Sequence, residues 1–353
     1  MVRTPEQMIC RLPMGDAVYR YEGALVLPFE GRRRKVMSTA GHNGGYQENL
    51  SAVFNYQSHY NYCGHEEDAP MPFEQYIRGY VGDTLQLDYE TVTGMATIVS
   101  MDNVSIRTRR YRDVEVTALT TASLEVNGGR VCDPADYFEE KGKPNATKVG
   151  TINILLCVNV DMTPGSMARA IVTLTEAKTA AIQELMGESV YTHGLATGSG
   201  SDSVIIVADA ESDHLLTYAG KHGKLGEMIG YTVKETVKEA LGKHMNLTPQ
   251  SRHSFLSRLH RFGVKGEAFE SFPKKIDRDG MMVSLAALYA HALDQLDWEL
   301  LSGEEVGKIC AMLIGQMASR VGIDYAANET AADMDALIAQ VREFALAIVK
   351  AHG

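Results

Sequence analysis

The fold is decided by the run Thr151-Ile-Asn-Ile-Leu-Leu-Cys-Val-Asn-Val160, which is followed directly by Asp161-Met-Thr-Pro-Gly165. A near-continuous apolar run of this length is typical of a strand that is buried on both of its faces. A helix is predicted to begin next, because Thr163 is a good N-cap and Pro164 suits the first helical position. We expect this helix to extend to about Met186, with its apolar residues on one face.

Other strands and loops are predicted on both sides of this central unit. Short β-prone runs separated by turn clusters fill the first half of the chain, and glycine-rich loops, a strand and a helix follow the central helix. After residue 243 the pattern is mostly helical and includes the only tryptophan, Trp298. We therefore predict an α/β (α+β) fold of stacked β-sheets flanked by helices at 1–244, and a C-terminal helical domain at 245–353. The predicted strands lie at 24–27, 36–39, 91–99, 114–121, 125–132 and 203–208, and the glycine-rich loops at 196–202 and 218–226.

Composition and charge argue against several classes of function. The 353 residues carry 34 basic and 45 acidic side chains, a net charge of −11, which disfavours a nucleic-acid partner. No apolar run reaches the roughly 20 residues that span a bilayer, and the N-terminus shows no apolar signal region. Five widely spaced cysteines without a C-x-x-C pair indicate a reducing compartment, so we expect a cytoplasmic protein. The basic run at 32–35 is predicted to be a solvated strand edge.

Two side chains are candidates for catalysis. Lys178 falls on the apolar stripe of the central helix, where a lysine needs a partner or a task, although a stem that snorkels to the rim of the core also accounts for it. Thr151 opens the most buried strand after a loop. That is an ordinary place for a β-branched residue, and also a place where a hydroxyl nucleophile can meet a base.

Three glycine-containing loops are candidates for ligand binding. The loop with Gly198, Gly200, Ser201 and Asp202 leads into a strand and lacks the Lys and Ser/Thr of a P-loop, which argues against nucleotide binding. It places Ser201 and Asp202 at a strand edge, where an Asx-turn is the structural alternative. The other two loops let the backbone approach a ligand, and the later one leads into a helix N-terminus. They contain His42, Asn43, Gly44 and Gly45, and Gly220, Lys221, His222 and Gly223.

A zinc site formed by histidines has no support in the spacing. No H-E-x-x-H or comparable pattern connects the candidate ligands, so we expect no metal site. These ligands are His42, His65, Glu66, His193 and His222.

Taken together, these motifs resemble the adenosylcobinamide amidohydrolases, the CbiZ family, over about residues 20–242. The resemblance implies hydrolysis of the amide between the corrin ring of adenosylcobinamide and its aminopropanol arm, which gives adenosylcobyric acid in cobalamin salvage. It also implies a small corrinoid substrate that carries the cobalt, and no cofactor. The matching segments are Ser38-Thr-Ala…Gly44-Gly45, Gly150-Thr-Ile-Asn-Ile154, Leu174-Thr-Glu-Ala-Lys-Thr-Ala-Ala181, Ala196-Thr-Gly-Ser-Gly-Ser-Asp-Ser-Val204 and Tyr218-Ala-Gly-Lys-His-Gly-Lys-Leu-Gly-Glu-Met-Ile-Gly230.

The sequence departs from that pattern in three places. His42 and Asn43 stand where the family has smaller or apolar residues, the loop at 58–70 is enlarged, and residues 245–353 have no counterpart. Two other functions stay open: a non-catalytic corrinoid-binding protein, and an amidase of the same fold that acts on another amide, such as a peptide. A homo-oligomer also stays open.

A second resemblance concerns the mechanism. The chain resembles the self-cleaving D-aminopeptidases and the ornithine acetyltransferases in three features: the Gly150-Thr-Ile-x-Ile segment, the threonine-proline helix and the Gly-Ser-Asp loop. This resemblance implies the fold of those enzymes and a nucleophile of the same kind. The prediction requires the Thr151 hydroxyl to line a cleft shared with Asp202, and self-cleavage at Gly150-Thr151 stays open. The implied catalytic residues are Thr151 as nucleophile, Ser201 or Asp202 to orient it, Lys178 to offer charge, and Asn127 with glycine-loop amides as the oxyanion hole.

Overall fold

The strands and helices are those of a computed structural model, which describes residues 7–58, 73–135, 138–140, 143–144 and 151–352. His65, Glu66, Gly150 and the enlarged loop beyond residue 58 lie outside the described residues. The strands are β1 (Gln7–Arg11), β2 (Ala17–Tyr21), β3 (Ala24–Pro28), β4 (Arg34–Ser38), β5 (Gly45–Gln47), β6 (Ala52–Gln57), β7 (Val92–Thr97), β8 (Ser105–Tyr111), β9 (Val114–Ala122), β10 (Gly128–Gly129), β11 (Glu139–Glu140), β12 (Lys143–Pro144), β13 (Ile152–Val158), β14 (Asp161–Met162), β15 (Gly198–Ser199), β16 (Ser203–Asp209) and β17 (Leu215–Leu216). The α-helices are α1 (Phe73–Gly79), α2 (Pro164–Glu184), α3 (Lys224–Met245), α4 (Pro249–Arg252), α5 (Phe255–Leu259), α6 (Lys274–Asp277), α7 (Gly280–Asp297), α8 (Gly303–Val321) and α9 (Met334–His352).

The predicted central strand is β13, and it lies inside a six-stranded mixed sheet. The strand order is β5-β4-β16-β13-β9-β8, with β13 parallel to β16 and antiparallel to β9. Every residue of β13 is buried, which confirms the prediction of a strand covered on both faces. Ile154 and Leu156 point into the core formed with the helices, whereas Leu155 and Cys157 point into a second core.

Two long helices cover the first face of this sheet. Thr163 caps α2 by accepting a hydrogen bond from the backbone N–H of Ser166 at 3.2 Å, as the sequence predicts. The buried face of α2 includes Met167, Leu174 and also Lys178. The second helix, α3, packs beside α2 and against β9.

A five-stranded sheet covers the other face. Its order is β1-β2-β3-β6-β7, and its inward residues share a core with the odd-numbered residues of β13. Its outer face packs under α1 and a π-helical turn at Tyr80–Thr84, with Val81 and Leu85 fully buried. The layers are therefore helices, sheet, sheet and helix. This is the predicted fold class of stacked sheets flanked by helices, while the closer likeness to the D-aminopeptidase and ornithine acetyltransferase fold stays a prediction.

One predicted strand is wrong. The sequence predicts a strand at 125–132 that a turn at Asn127-Gly128-Gly129 breaks, but only the two residues of β10 are extended. The backbone N–H of Gly128 donates to the carbonyl of Leu124 at 3.1 Å, so the chain turns before β10. Gly128 suits that turn, because a Cβ there would lie 2.5 Å from the same carbonyl oxygen.

The described residues form two compact units. One contains the two sheets and ends at Leu247, and the other joins Thr192–Gly194 to the helical residues that begin at Thr248. The second unit is the predicted C-terminal helical region, with Phe255, Tyr289 and Phe344 fully buried in its own core. Its behaviour as a separate domain stays a prediction. Within the described part of the chain, every helix is too short or too polar to span a bilayer.

The basic run at 32–35 is not simply a solvated edge, because Arg34 is only 1% exposed. Its guanidinium donates to the Asp16 carboxylate at 2.8 Å and to the Asp209 carboxylate at 2.6 Å. Asp16 precedes a strand of the five-stranded sheet, whereas Arg34 and Asp209 belong to the six-stranded one. The buried ion pair therefore ties the two sheets together, and the burial follows from the need to satisfy two carboxylates inside the protein.

The first prediction is that Arg34→Met destabilises the protein by about 3–5 kcal/mol, because it breaks the pairs with Asp16 and Asp209 at once. The fully buried Asp16 carboxylate then keeps only Arg32, whose side chain is 36% exposed, as a partner at 2.9 Å. Urea denaturation measures the effect. The matched control is Arg20→Met, which removes an arginine paired with Asp102, a carboxylate whose side chain is 73% exposed. We expect that variant to keep a nearly unchanged urea midpoint. Equal losses in the two variants would contradict a structural role of the buried pair.

Candidate active site

A cleft of about 600 Å³ lies in the first unit, at the end of the six-stranded sheet where β13 begins. Three segments line it: the loop after residue 126 together with one tyrosine, one face of α2, and the Gly/Ser loop before β16. The lining residues are Asn127, Gly129, Arg130, Val131, Asp133, Pro134, Ala135, Thr175, Lys178, Thr179, Tyr191, Thr197, Gly198, Ser199, Gly200 and Asp202.

The first and third segments are joined by a short antiparallel ladder. Gly128 of β10 faces Ser199 of β15, and the backbone N–H of Thr197 donates to the carbonyl of Gly129 at 2.8 Å. The N–H of Gly200 donates to the carbonyl of Asn127 at 3.1 Å. These bonds join two distant stretches of sequence into one continuous wall of the cleft. The lining residues of α2 form the other wall.

The chemical centre of the cleft is the ion pair between Lys178 of α2 and Asp202 of the Gly/Ser loop. The ammonium Nζ contacts Oδ2 of the carboxylate, and the two side chains are 11% and 16% exposed. The other oxygen, Oδ1, accepts from the N–H of Ile152 at 3.1 Å, and from the N–H and the hydroxyl of Ser199 at 3.1 and 2.8 Å. Both oxygens of Asp202 are thus engaged, which lets a charged lysine stay on the buried face of its helix.

Gly198 makes room for this pair. A Cβ on Gly198 would lie 2.3 Å from Oδ2 of Asp202 and 2.6 Å from Nζ of Lys178, distances at which atoms collide. Gly200 is different, since the nearest atom to a Cβ there is Nδ2 of Asn127 at 3.4 Å, an ordinary contact. The loop therefore uses one of its two glycines to admit a side-chain ion pair.

The predicted catalytic residues form one hydrogen-bonded cluster, but Thr151 does not face the cleft. Its side chain is 1% exposed, and its hydroxyl donates to the carbonyl of Ser201 at 2.6 Å. Ser201 in turn has its hydroxyl 3.3 Å from Nδ2 of Asn127. The expectation that the Thr151 hydroxyl lines a cleft shared with Asp202 is wrong for this structure, whereas its catalytic role stays a prediction.

The reason is the two-residue period of β13. Thr151 shares a face with Asn153, whose amide donates to Oδ1 of Asn55 at 2.7 Å and to the carbonyl of Ala96 at 3.0 Å. Both of those residues belong to the five-stranded sheet. Thr151 is therefore directed toward the space between the sheets, away from α2.

The loop of His42, Asn43, Gly44 and Gly45 does not line this cleft. Its amide and imidazole groups bind backbone carbonyls of the segment 89–92: His42 Nε2 lies 2.6 Å from the Tyr89 carbonyl, and Asn43 Nδ2 donates to Val92 at 2.9 Å. A Cβ on Gly44 would lie 2.1 Å from a carbonyl of its own turn. These contacts give the loop a structural role, and its predicted part in binding stays a prediction.

The loop of Gly220, Lys221, His222 and Gly223 also lies outside the lining. Lys221 pairs with Glu176 on the surface of α2 at 3.1 Å, and Gly223 is the N-cap of α3. Of the predicted binding residues, Gly198 and Gly200 line the cleft.

Several cleft residues were missed by the sequence analysis. Thr175 could have been found, because it lies three residues before Lys178 and so shares its helix face. Ser199 stands inside the loop that was singled out, between its two glycines. Arg130 and Tyr191 carried no recognisable signal, since each depends on how the two loops pair.

A metal centre finds no support among the described residues, where no group of three or more His, Cys, Asp or Glu side chains is placed to hold an ion. Of the candidate ligands, His65 and Glu66 lie outside the described residues.

Comparison with known proteins gives the following relatives. The family described as adenosylcobinamide amidohydrolase, CbiZ, matches residues 10–249. The uncharacterized protein MJ1613 of Methanocaldococcus jannaschii is 34% identical over 245 residues, which cover 65% of this chain and 89% of that protein. The PH0078 protein of Pyrococcus horikoshii covers 69% of this chain and 83% of its own at 11% identity and a TM-score of 0.30, a similarity that supports no argument about the fold.

The second prediction tests the crowding at Gly198. Gly198→Ala should push Lys178 and Asp202 apart and destabilise the protein by about 1–3 kcal/mol. It should also raise the reactivity of Lys178 toward acetic anhydride, measured by peptide mass spectrometry. Gly200→Ala is the control and should change neither quantity. If Gly198→Ala leaves both unchanged, the ion pair does not occupy the space described.

Proposed function

Because the chain belongs to the adenosylcobinamide amidohydrolase family, CbiZ, we propose that it hydrolyses the amide that joins the corrin ring of adenosylcobinamide to its aminopropanol arm. Water adds across the C–N bond, and the products are adenosylcobyric acid and aminopropanol. The observation that carries this proposal is the family match over residues 10–249, which includes every residue that lines the cleft. The cobalt belongs to the substrate, and no resident cofactor is part of the proposal. The separated cysteines favour the cytoplasm as the place of the reaction.

We assign Lys178 the stabilisation of negative charge on the amide oxygen. Its ammonium lies on the cleft wall and is held in place through Asp202, so it needs no rearrangement to meet a developing oxyanion. Fixed donors of this kind are worth about 10²–10³ in rate in other hydrolases. Asp202 acts on Lys178 and on the Ser199 hydroxyl, and Asn127, which also lines the cleft, is a further donor within the same wall.

For the nucleophile, the geometry favours Ser199. Its hydroxyl belongs to a cleft-lining residue and donates to the Asp202 carboxylate at 2.8 Å, so an acceptor for its proton is already in contact. In the proposed sequence the oxygen attacks the amide carbon, and the proton passes to Asp202 and then to the leaving amine as the C–N bond breaks. Water then hydrolyses the acyl-serine. Thr151 is the alternative nucleophile that the sequence suggests.

Two other functions use the same cleft. A corrinoid carrier would need the walls of the cleft to bind its ligand but would not need the Lys178–Asp202 ion pair. An amidase for another substrate would need the ion pair, together with cleft walls of a different shape. The ion pair favours an enzyme over a carrier, because it fixes a charged group on the wall of the cleft, where that group can stabilise charge that develops in a reaction. A structural ion pair is the alternative account of the same observation.

The third prediction is that the purified protein converts adenosylcobinamide to adenosylcobyric acid and free aminopropanol, as measured by chromatography of both products. Lys178→Met should lower the rate by about 10²–10³ because it removes the proposed oxyanion partner. Excess chelator should leave the wild-type rate unchanged. Binding without turnover would point to the carrier, and loss of activity on chelation that zinc restores would revive a metal site.

The fourth prediction separates the two nucleophiles. Ser199→Ala should lower the rate at least about 10²-fold while the protein stays folded. Thr151→Ala removes a buried hydrogen bond to the Ser201 carbonyl and should mainly lower stability, by about 1–2 kcal/mol. Rates and urea midpoints are measured for both variants, with the intact mass of each chain. The opposite ranking of the two rates would make Thr151 the nucleophile.

A further inference from the structure

We propose that the turn from Arg130 to Asp133, with Pro134 and Ala135 after it, is a platform on which the corrin ring lies while only the amide arm enters the cleft. This turn is called the platform below. The inference rests on the proposed function, because it takes a corrinoid as the ligand. It adds the residues that hold the ring, which neither the family match nor the ion pair specifies.

The size of the cleft is the first argument. A volume of about 600 Å³ is in the range that encloses a drug-sized ligand. A corrinoid with an adenosyl group is considerably larger than such a ligand, so the whole molecule cannot enter. The arm with its amide is the part that must reach Lys178. The ring then has to rest on whatever surface forms the rim of the cleft.

The rigidity of the platform is the second argument. The backbone N–H of Arg130 donates to the Asp133 carboxylate at 2.6 Å, and the same oxygen accepts from the hydroxyl of Ser189 at 2.6 Å. The N–H of Val131 donates to the hydroxyl of Thr197 at 2.9 Å. The turn is therefore fixed to both neighbouring segments of the wall, and its side chains are presented in defined positions.

The surface that this turn presents is the third argument. Val131 is 71% exposed although it lines the cleft, and Val190, next to the cleft-lining Tyr191, is 51% exposed. Cys132 adopts a φ of 78°, a left-handed conformation that is strained for a residue other than glycine. A strained, fixed turn that holds an apolar side chain in solvent gains stabilisation when a ligand covers it.

The chemistry of the two walls matches an amphipathic ligand. The platform side carries Val131, Pro134, Ala135 and the ring of Tyr191, whereas the α2 side carries Lys178 and threonine hydroxyls. The methyl-bearing face of a corrin ring suits the first wall. Arg130, on the same turn, also lines the cleft. One of its guanidinium nitrogens donates to the Leu195 carbonyl at 3.5 Å, and its remaining N–H donors suit the amide oxygens at the edge of the ring.

The fifth prediction is that Val131→Asp weakens adenosylcobinamide binding about tenfold, because it replaces the covered side chain with a charge. The control is Val172→Asp, which changes a valine of α2 that is 44% exposed and lies outside the cleft lining; we expect wild-type binding. Equilibrium dialysis gives the Kd, and initial rates give KM and kcat. KM should rise more than kcat falls.

Alkylation of Cys132 provides an independent readout. Cys132 is exposed, so iodoacetamide should label it in the free protein, and saturating adenosylcobinamide should protect it. The half-buried Cys10 is the internal control, and its labelling should not change. Equal Kd values for the two valine variants, or full labelling of Cys132 in the saturated protein, overturns the platform. Wild-type protein that binds the corrinoid without cleaving it overturns the proposed function and leaves the platform standing.

Discussion

The structure of the first unit depends on one constraint: both faces of β13 are buried. A strand whose seven residues are all buried needs an apolar layer on each side, and here α2 and α3 supply one layer while the five-stranded sheet supplies the other. The constraint also places the site. At the end of the sheet where β13 begins, the N–H of Ile152 donates to the carboxylate that holds Lys178.

The sequence predicts this arrangement well where periodicity carries the information. The central strand and the buried position of Lys178 follow from the spacing of apolar residues, and the start of α2 follows from the Thr163-Pro164 pair. The partner of Lys178 does not, because Asp202 reaches it only through the pairing of β10 with β15. The burial of Arg34 is not predicted for a similar reason. Its side chain turns inward because it pairs with Asp16 and Asp209, and the sequence does not show that these carboxylates lie beside it in the fold.

Glycines were the least reliable guide to the site. Gly44 is needed because the chain passes a carbonyl of its own turn, and Gly198 because a side-chain ion pair lies against it. In sequence, both look like places where backbone approaches a ligand. Thr151 shows a second limit. The sequence predicts that its hydroxyl faces the cleft, but the alternation of β13, which begins at the next residue, turns Thr151 toward the other sheet. The sequence analysis names Ser201 as a candidate, but the residue of this loop that lines the cleft is Ser199, two positions earlier.

The pairing of β4 with β16 has a consequence for synthesis on the ribosome. Arg34 and Asp209 are 175 positions apart, so β4 emerges long before the strand beside it exists. At about 5–20 residues per second, the wait is roughly 10–35 s. During this time the edge of β4 that later pairs with β16 is open, which is a hazard for aggregation, and the positive charges at 32–35 repel a second nascent copy. The same basic run thus limits association of unfinished chains during synthesis and supplies the buried ion pair of the folded protein.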